Sequence, residues 1–282
     1  MTNKKIAVLI TCHNRKENTL SCLNALFENI VLNTYNFEVF LVDDGSTDGT
    51  TEAIKKDFPK VNIIQGNGHL FWNQGMRLAW NTAVKQNDYD FYIWLNDDSI
   101  LNESAINHLI VCYDEILSYE GVPAIVTGAC MESKENPVFS YGGRSEERNI
   151  IPNGSLQYCK YINGNIVLVS KSIFKELGVL SDDYSHGMGD YDYGLRAQQN
   201  SFLCSTTKEY IAVCPTNKGV PVWCNPEKPF KERLTAFYSP LGLNIKEYFI
   251  FRKKFWPVKW MLYALKAYAK MLFPALYNRV RT

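Results

Sequence analysis

Phe91-Tyr92-Ile93-Trp94-Leu95 is an unbroken apolar run of strand length that stops at Asn96-Asp97-Asp98. Two carboxylates and an amide are costly to leave inside a hydrophobic sheet without partners. A strand that ends in them either presents them to a cationic or polar ligand or leaves them to solvate a turn or cap the next helix. The arrangement recurs twice upstream. Ile6 to Ile10 ends in Thr11-Cys12-His13-Asn14-Arg15, and Phe37 to Val42 ends in Asp43-Asp44-Gly45-Ser46-Thr47-Asp48-Gly49-Thr50. Near-continuous apolar strands alternating with helical patterns indicate parallel strands covered on both faces, and open sheets of this kind bind ligands beyond the carboxyl ends of their strands. The expected class is therefore α/β with the site on one rim. Hard oxygen donors such as Asp97 and Asp98 suit Mg²⁺ or Mn²⁺, ions that hold a diphosphate through one or two carboxylates.

The apolar spacing predicts helices over residues 16–30, after Ser46-Thr47-Asp48 up to Pro59, over 72–85, and from an Asn102 cap through Leu117. Strands are expected at 61–64 and 124–127. Beyond these the alternation breaks down. Residues 138–169 read as extended segments joined by turns at Gly142-Gly143, Asn153-Gly154 and Asn163-Gly164, followed by a short helix at 172–177 and a better one at 191–200.

At 282 residues, 46% hydrophobic and 21% charged, the chain can bury one large core. Its eight cysteines form no C-x-x-C pair, so neither a zinc site nor a disulfide framework is indicated and a reducing cytoplasm fits best. The apolar stretch after Met1-Thr2-Asn3-Lys4-Lys5 is too short for a signal peptide. The net charge of +1 conceals an asymmetry: eight of the 30 basic residues and none of the 29 acids lie from Tyr248 onward. Within that tail Lys259, Lys266 and Lys270 form a stripe beside Trp260, Met261, Leu262, Tyr263 and Leu265. The pattern suits an interfacial helix on anionic lipid at the inner face of the plasma membrane, or a helix packed on the body or on a second copy in a homodimer. Its bulky apolar residues are unlike a nucleic-acid-binding stripe, so no nucleic-acid partner is expected.

Three segments resemble the family 2 glycosyltransferases of the GT-A fold, of the bacterial cell-surface polysaccharide type: Val42 to Thr50, Asn96-Asp97-Asp98, and Gly189-Asp190-Tyr191-Asp192-Tyr193-Gly194-Leu195-Arg196-Ala197. The resemblance implies a Rossmann-like, mostly parallel sheet flanked by helices, with a mixed α+β acceptor half and a helical tail. Residues 1–128 would form the nucleotide-sugar-binding half, 129–247 the acceptor-binding half of the same domain, and 248–282 the basic amphipathic tail. It also implies that Thr11, Asn14, Arg15, Asp43 and Asp44 hold the nucleotide, and that the loop with Gly68 and Trp72 closes on the donor. Asn96 departs from the family's D-x-D triplet, which leaves Asp98 as the principal metal ligand for Mn²⁺ or Mg²⁺ and Asp97 nearer the ribose or a bound water. Asp190 takes the position of the catalytic base, and the acceptor side would involve Gly164, Asn165, His186 and Tyr191.

The start of a helix favours an anion at Asp190, while Asp192, four residues before Arg196, has the spacing of a structural ion pair. One base opposite a departing diphosphate predicts a single displacement with inversion, from a UDP- or dTDP-linked sugar to a saccharide or lipid-linked saccharide. Two readings compete. A sugar-phosphate nucleotidyltransferase would need a glycine in the loop after the first strand, which Thr11 to Arg15 lacks. A catalytically silent carbohydrate-binding assembly subunit would have no use for Asp98 and Asp190.

Overall fold

A computed structural model describes residues 4–31, 35–216 and 219–276. Its centre is a sheet in the order β3-β2-β1-β4-β8-β6-β9-β5, with β7 pairing β9. The first half alternates as expected: β1 (Lys5–Cys12), α1 (Lys16–Val31), β2 (Asn36–Asp43), α2 (Thr50–Asp57), β3 (Val61–Gln65), α3 (Phe71–Gln86) and β4 (Phe91–Leu95). There follow β5 (Ile100–Leu101), α4 (Ala105–Glu120), β6 (Ala124–Met131), β7 (Gln157–Tyr158), β8 (Ile166–Ser170), α5 (Lys171–Leu177), α6 (Gly189–Gln199) and β9 (Leu203–Val213). Strands β1 to β4, β6 and β9 share one direction, and β5, β7 and β8 run against it.

The apolar runs are continuous because each face of the sheet has its own core. Along β1, Ile6, Val8 and Ile10 pack against α1, α2 and α4, while Ala7 and Leu9 pack against α3, α5 and α6. The two-residue period of a strand sends neighbours to opposite layers, so every position must be apolar. On the second face Trp80 is the hub, its ring within 6 Å of those of Tyr92, Trp94, Phe174 and Tyr193. Full burial of such rings is worth about 2–3 kcal/mol each.

Two local expectations are corrected. Asn102 does not cap α4: its Nδ2 donates to the carbonyl of Tyr210 at 3.1 Å, because Ile100 and Leu101 pair with β9 and carry the segment into the sheet. Ser104, in a left-handed conformation, precedes the helix instead. Helix α6 starts at Gly189, so Asp190 lies in its first turn rather than before it.

After β9 come α7 (Phe230–Tyr238), α8 (Ile245–Phe255) and α9 (Trp260–Leu272), which bury Phe237, Ile245, Ala267 and Met271 among themselves. This unit is fastened to the sheet domain by apolar packing of Phe251 on Tyr184 and Leu195 and by charge. Asp192, fully buried on α6, accepts from Arg196 Nε and from Lys254 Nζ on α8, both at 2.6 Å, and from the Tyr184 hydroxyl at 3.2 Å. The Arg196 spacing is the ion pair expected; the Lys254 contact joins elements 62 residues apart. The basic residues Arg279 and Arg281 lie outside the described residues.

Candidate active site

The carboxyl ends of β1, β2 and β4 meet at one rim. Asn14, at φ 50°, ties the first to the second: its backbone N–H donates to Ser46 Oγ at 2.9 Å and its Oδ1 accepts the Thr47 N–H at 2.7 Å. Asp43 turns inward, where Oδ1 accepts the Ser46 N–H at 2.8 Å and Oδ2 accepts the Thr51 hydroxyl. Asp44 does more distant work. Its carboxylate accepts three backbone N–H groups, from Gly68 and Leu70 at 2.8 Å and from Phe71 at 3.0 Å, and so folds the loop before α3 around itself. The two carboxylates are 1% and 4% exposed.

Beyond β4 the triplet fans out. Asp97 is buried, whereas the Asp98 side chain is 31% exposed. Arg15 reaches both, with Nη1 at 2.8 Å from Asp98 Oδ2 and 3.4 Å from Asp97 Oδ1. Burial would lower the Arg15 pKa, but the two carboxylates more than offset it and raise the value. Burial pushes Asp97 up to about 7, with Asp98 adding to the shift and Arg15 opposing it. Asn96 points to the donor loop: its Oδ1 accepts the Trp72 indole N–H at 2.6 Å.

That indole also meets the loop before β8 and the first turn of α6. A Cβ added at Gly164 would lie 2.6 Å from the Trp72 ring and 3.3 Å from Asp190 Cβ, so only glycine fits between them. The Gly164 N–H donates to Asp190 Oδ2 at 2.9 Å, and the Tyr191 N–H to Asp190 Oδ1 at 2.8 Å. Even so, burial raises the Asp190 carboxyl to about 6, with those backbone donors pulling the other way. The loop before Asp190 is stapled by Asn73, whose Nδ2 donates to the carbonyls of Ser181 and Tyr184. Gly189 permits the approach, since a Cβ there would overlap Asn73 Oδ1.

A cleft of about 410 Å³ opens on this rim. Of the residues singled out in the sequence, Thr11, Arg15, Asp44 and Gly68 line it from the β1, β2 and loop side. Trp72, Asn96, Asp97, Asp98 and His186 line the opposite wall. Asn14, Asp43, Gly164, Asn165 and Tyr191 do not face it. Asn165 sits behind Asn96, accepting its side-chain amide at 3.3 Å, and Tyr191 packs its ring against Tyr161. Asp190 lies just past the cleft, behind Trp72 and Gly164. His186 accepts the Trp72 backbone N–H at Nδ1 (3.4 Å), and burial lowers its pKa.

Phe71 of the aromatic donor loop lines the cleft as well, as do Cys12, His13 and Leu241, to which the sequence assigns no role. His13 adjoins Asn14 and donates from Nδ1 to the Asp44 carbonyl at 2.6 Å, so position alone could have flagged it. Leu241 comes from the turn between α7 and α8, and no local pattern in the sequence places it there.

The donor set fits a hard divalent ion held jointly with phosphate oxygens. Asp98 offers a carboxylate at the cleft wall, already compensated by a cation at 2.8 Å. Among the described residues no group of three or more His, Cys, Asp or Glu could hold a metal ion by itself, and an ion here would need oxygens of a bound phosphate beside Asp98.

A family model described as Glycosyl transferase family 2 matches residues 7–153, more than half of the chain. The poly-beta-1,6-N-acetyl-D-glucosamine synthase of Staphylococcus aureus (strain COL) is 29% identical over 109 residues, 37% of this chain and 24% of that protein. The protein of the same name from Staphylococcus epidermidis is 29% identical over 105 residues. The chain thus spans about a quarter of the length of these relatives. Mannosyltransferase PcManGT from Pyrobaculum calidifontis, solved in complex with GDP-Man and Mn²⁺, superposes with a TM-score of 0.57 at 15% identity, over 95% of this chain and 75% of that one. TarS from S. aureus superposes with a TM-score of 0.53 at 14% identity, over 89% and 72% respectively. At such identities the likeness is one of fold.

Proposed function

Because this chain belongs to glycosyl transferase family 2 and has its GT-A fold, we propose that it moves a sugar from a UDP- or dTDP-linked donor to a hydroxyl of a saccharide or lipid-linked saccharide, with inversion, in surface polysaccharide synthesis. The observation that carries this reading is the Trp72 bridge. It ties an acidic cleft wall, Asn96 to Asp98, to a carboxyl of raised pKa, Asp190, across one indole. A donor whose diphosphate lies along Asp98 and Arg15 presents its sugar to the Trp72 face, and the acceptor then enters from the Asp190 side.

Each residue has a task in that reading. Asp43 and Asn14 hold the base end of the cleft in shape. Asp44 fixes the 66–71 loop so that Gly68 and the aromatic residues behind it close on the donor. Asp97 keeps Arg15 beside Asp98, and the guanidinium supplies positive charge near the leaving phosphates. A Mn²⁺ or Mg²⁺ ion bound at Asp98 would supply Lewis-acid stabilisation of the departing diphosphate. Asp190 takes the proton from the acceptor hydroxyl as its oxygen forms the new bond to the anomeric carbon, and the nucleoside diphosphate leaves from the opposite face with the bonding pair. His186, whose pKa burial lowers, and Tyr191 border the acceptor approach together with the Gly164 and Asn165 backbone. Work at the inner face of the plasma membrane suits a lipid-linked acceptor.

Thermal denaturation in the presence of a panel of nucleotide sugars, with and without Mn²⁺, tests the proposal. A rise in Tm with a UDP- or dTDP-sugar that depends on Mn²⁺ is the expected result. Pyrophosphate release from a nucleoside triphosphate and a sugar phosphate would favour the nucleotidyltransferase reading instead.

A further inference from the structure

Helix α9 is inverted relative to an ordinary surface helix. Its inner face carries Ala264, Ala267 and Met271, whereas Met261, Leu262, Leu265 and Leu272 point outward, with Leu265 66% exposed. Val258 before the helix and Phe273 and Leu276 after it continue the same apolar surface. A run of exposed large apolar side chains along one helix face marks an interaction site.

The chemistry along the edge of the patch says what covers it. Lys259 and Lys266 flank the apolar face, and the described residues from Tyr248 onward include no acid. Around the same edge a cavity of about 400 Å³ opens between α8 and α9, lined by Arg252, Lys266 and Lys270 together with Trp223, Tyr248 and Tyr263. Arg252 is held by aromatic rings rather than by a carboxylate: its guanidinium carbon lies 4.2 Å from the Tyr263 ring centre and 4.8 Å from that of Trp256. Among the described residues no acid pairs with it, and its buried Nε has no acceptor. An apolar plane bordered by cations, with a cationic notch at its edge, matches acyl chains bordered by phosphate headgroups.

We propose that the outward face of α9 lies on an anionic bilayer surface, with lipid phosphates taken up beside Arg252, Lys266 and Lys270. The helix lies on the membrane and does not cross it. Its 13 residues reach about 20 Å against a hydrocarbon core of about 30 Å, and among the described residues no helix is long and apolar enough to span. A second copy of the chain is the poorer occupant, because a two-fold interface would set the same lysine-rich helix edge against itself. The inference deepens the membrane placement proposed above and rests on it, but vesicle binding is read separately from sugar transfer to a soluble acceptor, so either can fail alone.

The test is co-sedimentation of the full chain with phosphatidylcholine vesicles and with vesicles that also contain phosphatidylglycerol. Binding to the second and not the first is expected, undiminished by inorganic phosphate equal to the lipid phosphate. Leu262→Glu with Leu265→Glu, at exposed positions, should abolish binding with an unchanged Tm, and Lys266→Glu should weaken it at least about fivefold. Absence of binding to phosphatidylglycerol vesicles would overturn the proposal. So would full binding by the Leu262→Glu, Leu265→Glu variant, or a wild-type dimer in solution that those substitutions dissociate.

Discussion

The indole N–H of Trp72 donates to Asn96 Oδ1 at 2.6 Å, and the same ring closes over Gly164, whose backbone N–H holds Asp190. One side chain thus sets the separation between the acidic end of β4 and the first turn of α6. Asn96 takes the first place of the acidic triplet, and its amide oxygen is used for positioning rather than for charge.

Removing the indole donor should loosen that spacing without emptying the cleft. Trp72→Phe keeps an aromatic face but leaves Asn96 Oδ1 without this partner, a loss of about 1 kcal/mol or more. A fall in kcat/KM of about tenfold is expected in steady-state kinetics, with Tm lowered by only a few degrees. Undiminished kcat/KM would show that the bridge is only packing.

Gly164→Ala places a methyl group 2.6 Å from the Trp72 ring. The ring must move, and overpacking of this kind costs about 1–3 kcal/mol. The expected outcome is a lower Tm and loss of most transfer, together with a shift in tryptophan emission that reports the displaced indole. A variant with wild-type emission and activity would place the ring elsewhere.

The pH profile follows from Asp190. A base with a carboxyl raised to about 6 is protonated below that value, and Asp97, raised to about 7, loses its charge beside Arg15 over the same range, so kcat/KM should fall by at least about tenfold per pH unit on the acid side of about pH 6. The stability sign is the reverse of an ion-paired carboxylate. The folded pKa lies above the ordinary aspartate value of 3.8, so the folded state binds the proton more tightly and stability falls as pH rises from about 4 to about 6, then stays level. Asp190→Asn relieves the buried charge but sets an amide NH2 against one of the two backbone donors, Gly164 or Tyr191, so near neutral pH its stability in denaturant titrations should stay within about 2 kcal/mol of wild type. Marked destabilisation there would contradict the assigned environment.

Asp192 is structural. Its buried carboxylate joins Arg196 and Lys254, and Asp192→Ala leaves both cations without it, a cost of about 3 kcal/mol. Lowered Tm with protease cleavage between β9 and α8 is expected, since Lys254 is the charged link to the helical unit. Resistance equal to wild type would show that apolar packing alone holds that unit.

Much of the first half was legible in the chain because β1 and β4 are buried on both faces, and uninterrupted apolar runs announce that burial. The polar ends of those strands marked the rim for the same reason. Strand direction is not encoded in such a run, so the antiparallel β8 between β4 and β6 could not be read from Ile166 to Ser170. Asn102 misled because an amide before a helix pattern reads equally as a cap or as a link to a distant carbonyl, here that of Tyr210. That Asp44, besides lining the cleft, accepts the backbone N–H groups of residues 68, 70 and 71 is a contact across the loop that no local pattern carries. Leu241 reaches the cleft only through packing of the helical unit, which no short-range pattern carries.

The most direct test is a comparison of Asp190→Asn with wild type, using the donor selected by thermal stabilisation. The account predicts unchanged Mn²⁺-dependent donor binding and a loss of transfer of at least about a hundredfold. Wild-type turnover by Asp190→Asn would contradict the assignment of the base and, with it, the proposed mechanism.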